Sequence, residues 1–386
     1  MITLVSLLFF LLPILAFPLL IVAFLLDKNM LHKKIYSIFI AIEAAIILYY
    51  FIPDPTKDLS RYYTIMNRLS FMSIGDFWIY LTSRVEPIAN IYFYFFSKIG
   101  NHSWIMVGTT LISYFLINYV LFDYQKKRNI NNQDFNMIYI FMLCTFYLVD
   151  DITGIRFCLA RLIFFVALYL DICKNNKTLK VKLLYLLSPL IHSSCIIFLI
   201  IRILCHFIKY KFNLKIFLVL VICSISPQII IKIAHTASNI PFFSSLSAKA
   251  EEYLSLSAGF YPMFVVQIII MLFLFFCLLY VRNRCDKNML KYANYILIIL
   301  SIALLFVRST SLSTRFIRAS ITFSLPLLME YLNSLKSKNK LLIYLFMLGI
   351  CVISLAFQVS HLTVEIHYGT LFEEGLFRNL FALLFG

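Results

Sequence analysis

The sequence predicts an all-α, polytopic integral membrane protein with about 11–12 transmembrane helices and extracytoplasmic loops. Of 386 residues, 62% are hydrophobic and only 13% are charged, whereas a soluble chain carries about 25% charged residues. Apolar runs close to the roughly 20 residues needed to cross a bilayer recur along the whole chain. The short loops between many of these runs are rich in lysine. Together these three observations predict one membrane domain that covers residues 1–386.

Most of the apolar runs are simple candidates for single spans. Two stretches need interpretation. Ile2–Leu26 is too long for a signal-peptide core and lacks a basic leader, so we expect it to be the first span. Leu179–Ile208 is longer than one span requires and is interrupted at Pro189 and His192, so we expect a hairpin of two short helices; a single span is the alternative. The remaining candidates are Ile35–Ile52, Trp104–Phe122, Phe135–Val149, Ile155–Ile172, Leu214–Ile231, Tyr261–Val281, Leu290–Val307, Phe316–Tyr331 and Leu341–Val359.

The distribution of cations predicts the orientation in the membrane. Lysine-rich short loops are typical of the cytoplasmic side, and the hairpin keeps all of them there. The predicted outer segments are a loop with a half-helix at 53–103, a loop at 232–260, a short turn at Arg308–Arg315 and a C-terminal tail at 360–386. The net charge of +16 is explained by lysines facing anionic headgroups, which argues against nucleic-acid binding.

The cysteine pattern predicts neither a metal site nor a cofactor. Most of the nine cysteines lie within apolar runs. They are typical of small buried hydrophobic residues, and no spacing resembles a zinc site.

Arginines on the predicted outer side are the first candidates for chemistry. A guanidinium group binds phosphate or carboxylate through two parallel hydrogen bonds. Arg156 opens a predicted span, where it is either an interfacial anchor or an anion ligand in an outward-facing cavity. Arg308, Arg315 and Arg318 flank a Ser/Thr-rich turn, Ser309–Thr314, and this arrangement predicts a diphosphate cradle.

Three further residues are candidates for acid–base chemistry. His192 lies where the chain is expected to reverse, and a histidine there can act as a base or simply cap a broken helix. Asp58 and Glu86 lie in the 53–103 segment, close to Arg61 and Arg84. These carboxylates either form ion pairs or activate an acceptor hydroxyl, and the sequence leaves the identity of the base open.

Four motifs in order give the chain its resemblance to a known family. They are Asp58-Leu59-Ser60-Arg61-Tyr62-Tyr63, Glu86-Pro87, Gly154-Ile155-Arg156 with Ala160, and Pro189-Leu190-Ile191-His192-Ser193-Ser194. The chain resembles the Wzy-type polysaccharide polymerases, in particular their EpsG-like branch. Arg315 matches a later arginine of that family more weakly.

The resemblance implies a GT-C-like glycosyltransferase of the bacterial cytoplasmic membrane with its active site facing outside. Such enzymes transfer a glycan from undecaprenyl diphosphate to the non-reducing end of another lipid-linked repeat unit of an O-antigen, capsule or exopolysaccharide. Arg156 and Arg315 would contact the diphosphate, with Arg318, Arg61 and Arg308 in support and without a metal. Expected partners are the lipid-linked donor and acceptor, membrane lipids, a chain-length regulator and a flippase. The alternatives are a lipid-linked oligosaccharide flippase or transporter and an O-antigen ligase.

Overall fold

The computed structural model of the protein describes residues 2–52, 55, 58–146, 152–207, 262–306, 310–365 and 380. Within these ranges the chain forms fifteen α-helices and no strand, which confirms the predicted all-α class. In chain order they are α1 (Ile2–Leu11), α2 (Pro13–Leu26), α3 (Met30–Tyr49), α4 (Asp58–Ser70), α5 (Ile74–Thr82), α6 (Pro87–Ser97), α7 (Trp104–Arg128), α8 (Asn132–Thr145), α9 (Ile155–Leu168), α10 (Leu179–Ile191), α11 (Ile196–Phe207), α12 (Pro262–Arg282), α13 (Lys287–Leu305), α14 (Thr310–Ser334) and α15 (Ser337–Glu365).

The helices belong to two compact units. The first unit comprises Met1–Ile197 with Leu355–Gly386, and the second comprises Phe198–Ser354. In the first unit α3 packs against α7, and α9 packs against both α7 and α10. In the second unit α14 packs against α12 and α13. Whether these two units form the single membrane domain expected from the sequence stays a prediction.

Four helices among the described residues are both long and apolar enough to cross a membrane. They are Trp104–Arg128, Phe264–Arg282, Lys287–Leu305 and Ser337–Gln358. The continuous helix formed by α9 and the π-helical turn Tyr169–Cys173 covers the span predicted at Ile155–Ile172. The protein is a polytopic membrane protein, and the count of about 11–12 spans stays a prediction.

Two apolar stretches are interrupted where the local sequence disfavours a continuous helix. The first span expected at Ile2–Leu26 stays a prediction, and its helix is interrupted, because α1 and α2 are separated at Leu12 (φ −142°, ψ 70°). A residue before proline is disfavoured in helical geometry, and Pro13 then begins α2. The break predicted at His192 is confirmed, since α10 ends at Ile191 and a 3₁₀ turn, Ser193–Cys195, precedes α11. The hairpin topology itself stays a prediction.

In the predicted outer segment 53–103, the described residues form three short helices, α4, α5 and α6. The short helix expected at Pro87–Ile99 is confirmed as α6. Gly108 of α7 allows α6 to approach closely, because a Cβ atom there would lie only 2.4 Å from Cζ of Phe96. This close packing holds the C-terminal half of α6 against α7.

The remaining loop predictions have mixed outcomes. The turn expected at Ser309–Thr314 is wrong from Thr310 onward, because α14 begins there. The tail expected from residue 360 begins later, since α15 continues to Glu365. The loop predicted at 232–260 lies outside the described residues.

Candidate functional site

Three sites of helix initiation or interruption bring Glu86, Arg156 and His192 together. Glu86 is the residue before α6, where Pro87 occupies the first helical position and lacks the N–H that would otherwise go unpaired. Arg156 is the second residue of α9, which begins directly after Gly154. His192 joins α10 to the 3₁₀ turn. Each side chain is therefore placed by the backbone at a helix end.

The carboxylate of Glu86 is the centre of this arrangement. Its Oε2 accepts a hydrogen bond from Nη1 of Arg156 at 2.5 Å. Its Oε1 accepts from the backbone N–H of Ser193 at 2.8 Å and from the Ser193 hydroxyl at 2.9 Å. Side-chain exposure is 12% for Glu86 and 34% for Arg156, so the pair is partly shielded from water and stronger than an exposed ion pair.

His192 lies on the other side of the same carboxylate oxygen. Its Nδ1 is 3.5 Å from Oε1 of Glu86 and accepts a hydrogen bond from the backbone N–H of Ser194 at 3.2 Å. In a neutral imidazole that accepts at Nδ1, the proton resides on Nε2. The Phe157 ring contacts the imidazole edge to face, with the ring centroids 5.7 Å apart.

Tyr62 of α4 is the last member of the group and contacts the guanidinium of Arg156. Its hydroxyl accepts a hydrogen bond from Nε of Arg156 at 3.2 Å, and the guanidinium carbon lies 5.1 Å from the centre of its ring. Tyr62 is buried and stacks on Phe93 at 5.0 Å. The Glu86 cluster (Tyr62, Glu86, Arg156, His192 and Ser193) thus joins α4, α6, α9 and α10.

The cluster has a defined charge. Burial favours the neutral form of Glu86, but the charge of Arg156, the charge that His192 carries when it is protonated, and the hydrogen bonds from Ser193 together lower its pKa below the usual 4.5. Burial raises the pKa of Tyr62, and the positive charge of Arg156 only partly opposes this effect. At neutral pH the cluster therefore holds an ionised carboxylate on an arginine, with a neutral phenol behind it.

A cavity of about 190 Å³ adjoins Arg156. It is formed by side chains of α6, α7, α9 and α10, and apart from Arg156 and Tyr92 its walls are aliphatic or phenyl groups. The hydroxyl of Tyr92 is already hydrogen-bonded to Oγ1 of Thr109 at 3.0 Å. The arrangement offers an anion-binding group at the margin of an apolar space.

A comparison with protein families identifies the chain. The model of the EpsG family matches residues 34–371, a range that includes all four motifs. The chain belongs to the EpsG family. No curated protein and no solved structure matches it. Family membership indicates a role like that of an exopolysaccharide or O-antigen polymerase, and it agrees with the apolar helices of a membrane protein.

The other predicted site residues of this EpsG-family chain are Asp58, Arg61, Arg308, Arg315 and Arg318. Asp58 and Arg61 pair with each other at 3.5 Å on the first turn of α4, with side chains 47% and 72% exposed. Arg315 and Arg318 lie on α14 in the second unit, three residues apart. Arg308 lies outside the described residues. The roles assigned to these residues stay predictions.

Sequence reasoning did not include Tyr62 and Ser193 among the site residues of the EpsG-family chain. Both lie inside motifs that carried the resemblance, next to Arg61 and His192, which is the signal that was present. It also expected Arg156 to be an anchor or an anion ligand, without a partner at Glu86. That pairing joins residues 70 positions apart, and no local pattern encodes it.

Proposed function

We propose that this EpsG-family chain is a polysaccharide polymerase of the bacterial cytoplasmic membrane that works at its outer face. It transfers a growing glycan from undecaprenyl diphosphate to the non-reducing end of a second lipid-linked repeat unit. The observation that supports this most is the Glu86 cluster, an arginine fork and a carboxylate beside an apolar cavity. An amphiphilic diphosphate requires these two kinds of surface next to each other.

Arg156 is proposed to bind the diphosphate of the donor. In the reaction an acceptor hydroxyl oxygen attacks the anomeric carbon, and the bond from that carbon to the phosphate oxygen breaks. Undecaprenyl diphosphate leaves with the bonding electron pair. A guanidinium that contacts the departing oxygens stabilises the developing negative charge, and such electrostatic stabilisation is often the largest contribution to catalysis.

Glu86 is proposed to act as an internal anion that the substrate replaces. Its two oxygens occupy the donors of Arg156 and Ser193, which are the groups a phosphate would use. Once the diphosphate takes over Arg156, Glu86 loses the charge that lowers its pKa and becomes a stronger base. It can then accept the proton of the acceptor hydroxyl.

His192 is proposed as a positioning residue or as the alternative base. In the arrangement described, its Nδ1 is occupied by the Ser194 N–H, so Nε2 carries a proton and cannot accept one. Serving as the base would require His192 to release that contact or change tautomer. Glu86 needs only the substrate to displace it, which favours Glu86 as the base.

Arg315 and Arg318 are proposed as a second cationic contact for a diphosphate. They share one face of α14, because residues three apart on a helix are neighbours. An Arg315→Lys variant tests this proposal separately, since lysine keeps the charge and loses the two-pronged fork. A membrane-inserted Arg315→Lys protein that polymerises normally would contradict it.

The test of the proposed function is polymerisation by purified protein. Undecaprenyl-diphosphate-linked repeat unit is supplied in detergent or proteoliposomes, and the products are separated by gel. We expect a ladder spaced by one repeat unit and stoichiometric release of undecaprenyl diphosphate. Folded protein that moves the lipid across proteoliposomes without a ladder would be a flippase. Transfer onto lipid A core without a ladder would indicate a ligase.

A further inference from the structure

The cavity beside Arg156 is lined by buried residues on one side and by exposed residues on another. On the α6 side, Ala89 is 2% exposed, whereas on α7 Ile112 is 39% exposed. Neighbouring residues of α7 such as Phe115 are also exposed, and α7 is one of the four helices suited to crossing a membrane. A ligand that enters past Ile112 would therefore come from the hydrocarbon of the bilayer.

The chemistry of the walls decides which part of an amphiphilic ligand the cavity suits. Leu159 and Ile163 follow Arg156 along α9, and Ile191 faces them from α10. The hydroxyl of Tyr92 is occupied by Thr109, so a sugar placed here would lose hydrogen bonds to water without regaining them. A hydrocarbon chain loses none and gains buried apolar surface. The cavity therefore fits a lipid tail and is unsuited to the glycan.

The size of the cavity limits how much of a tail it holds. An apolar cavity of about 150 Å³ stays dry and binds a six-carbon ring. At about 190 Å³ the cavity has room for roughly one to two five-carbon isoprene units. Arg156 lies at one end, and Ile163 lies seven residues further along α9, a rise of about 10 Å. A chain attached to a phosphate on Arg156 would point along α9.

We propose that this cavity binds the phosphate-proximal isoprene units of a polyprenyl diphosphate, with the diphosphate on Arg156 and the glycan outside. The proposal rests on the proposed function, since it takes the lipid diphosphate as substrate. It assigns Ile112, Leu159 and Ile163 to lipid recognition. The diphosphate is thereby held by the charge of Arg156, and the first isoprene units are held by apolar packing in the cavity.

Photolabelling of the purified full-length protein in nanodiscs tests the proposal. The probe is geranyl diphosphate with a diazirine on its terminal isoprene unit. We expect labelled peptides that contain Ile112 or Ile163, and competition by unlabelled geranyl diphosphate. Dioleoylphosphatidylglycerol at the same concentration should compete weakly. Equal competition by this phospholipid would make the cavity a general acyl-chain site and overturn the proposal.

A matched pair of variants on α7 tests the location. Ile112→Trp fills the cavity from its open side, whereas Leu111→Trp introduces the same ring at a neighbouring position that is equally exposed (38%) and does not line the cavity. We expect Ile112→Trp to lower labelling about tenfold or more. The indole ring would take up volume that the isoprene chain needs, and a ligand that loses even one or two buried methylenes binds weaker by about that factor. Leu111→Trp should stay within about twofold of the wild type. Similar labelling of both variants would contradict the proposal, and Ile163→Phe serves as a second cavity-filling variant if Ile112→Trp is not monodisperse.

The polymerisation ladder on the same preparations separates the two proposals. Site-specific labelling without a ladder would remove the proposed function and keep the lipid site. A normal ladder from Ile112→Trp, or labelling confined to other helices, would remove the lipid site and keep the polymerase.

Discussion

The two ends of the helix that begins with α9 carry carboxylate clusters of different character. At the start, Glu86 contacts Arg156, Ser193 and His192. At the other end, the Asp123 cluster (Asp123, Tyr169 and Lys174) joins α7 to the π-helical turn. Arg156 and Lys174 are 18 residues apart, a rise of roughly 27 Å, which is close to the thickness of the hydrocarbon core. The clusters thus suit the two opposite membrane interfaces.

The donors that surround each carboxylate differ in a way that separates a candidate ligand-binding site from a structural ion pair. Asp123 accepts from the Tyr169 hydroxyl and from the Lys174 ammonium, and none of these three residues lines the cavity. Glu86 accepts from Nη1 of Arg156, from a backbone N–H and from a hydroxyl, and Arg156 also lines an apolar cavity. A lysine is a compact charge suited to a structural pair, whereas an arginine beside a backbone N–H can hold phosphate. The type and placement of the donors therefore mark the candidate site more clearly than the presence of an ion pair does.

Neutralising the two carboxylates should give the largest difference in polymerisation rate between the two clusters. We expect Glu86→Gln to lower polymerisation about 100-fold, because a general base contributes about 10² or more to the rate. Asp123→Asn should keep activity within about threefold and act mainly on stability. Initial rates from the gel ladder, with both variants checked for monodispersity, measure this. Equal losses in the two variants would mean that both clusters are structural.

Removing the Ser193 hydroxyl should give a smaller loss. Ser193→Ala deletes one hydrogen bond to Glu86 and keeps the backbone N–H contact, so we expect about a tenfold decrease in kcat. Ser194→Ala is the matched control on the same turn, since its hydroxyl faces His192 Nδ1 at 3.1 Å. A larger effect at Ser194 would point to His192, in place of Glu86, as the centre of the chemistry.

Tyr62→Phe should have a modest effect. The ring remains stacked on Phe93 and under the guanidinium, and only the contact from Arg156 Nε to the hydroxyl at 3.2 Å is lost. One such hydrogen bond is worth about 1 kcal/mol, so a loss of about threefold to tenfold in rate is expected. Tyr62→Leu, which also removes the ring, should lose more. Equal rates for the two variants would show that the ring does not support Arg156.

The smallest expected effect is on the pH dependence of stability. The pKa of Glu86 is lowered in the folded protein, so its stabilising contribution is fully present above the ordinary value of 4.5 and is lost as pH falls through the lower folded pKa. The wild type should therefore lose thermal stability below about pH 4.5 more steeply than Glu86→Gln. Thermal unfolding of both proteins in detergent, followed between about pH 3 and 6, measures the difference. Parallel curves would contradict the pairing with Arg156.

Composition and periodicity predict much of the fold, and local motifs predict part of the site. The all-α membrane class and the break at His192 follow from apolar runs and helix-breaking residues. The break at Leu12 was missed, although Pro13 provides a local reason for it. The pairing of Glu86 with Arg156 and Ser193 joins residues 70 and 107 positions apart. Such contacts depend on how α6, α9 and α10 pack, which helix periodicity alone does not determine.

Two single substitutions, at Arg156 and at Lys174, test whether the Glu86 cluster binds the lipid diphosphate while the Asp123 cluster holds helices together. Arg156→Lys and Lys174→Arg each keep one positive charge beside a carboxylate, so the pair separates the fork from the charge. We expect Arg156→Lys to lower single-turnover glycan transfer from undecaprenyl-diphosphate-linked repeat unit about 100-fold, and Lys174→Arg to stay within about twofold. Normal transfer by folded Arg156→Lys would contradict the proposed binding of the diphosphate by Arg156.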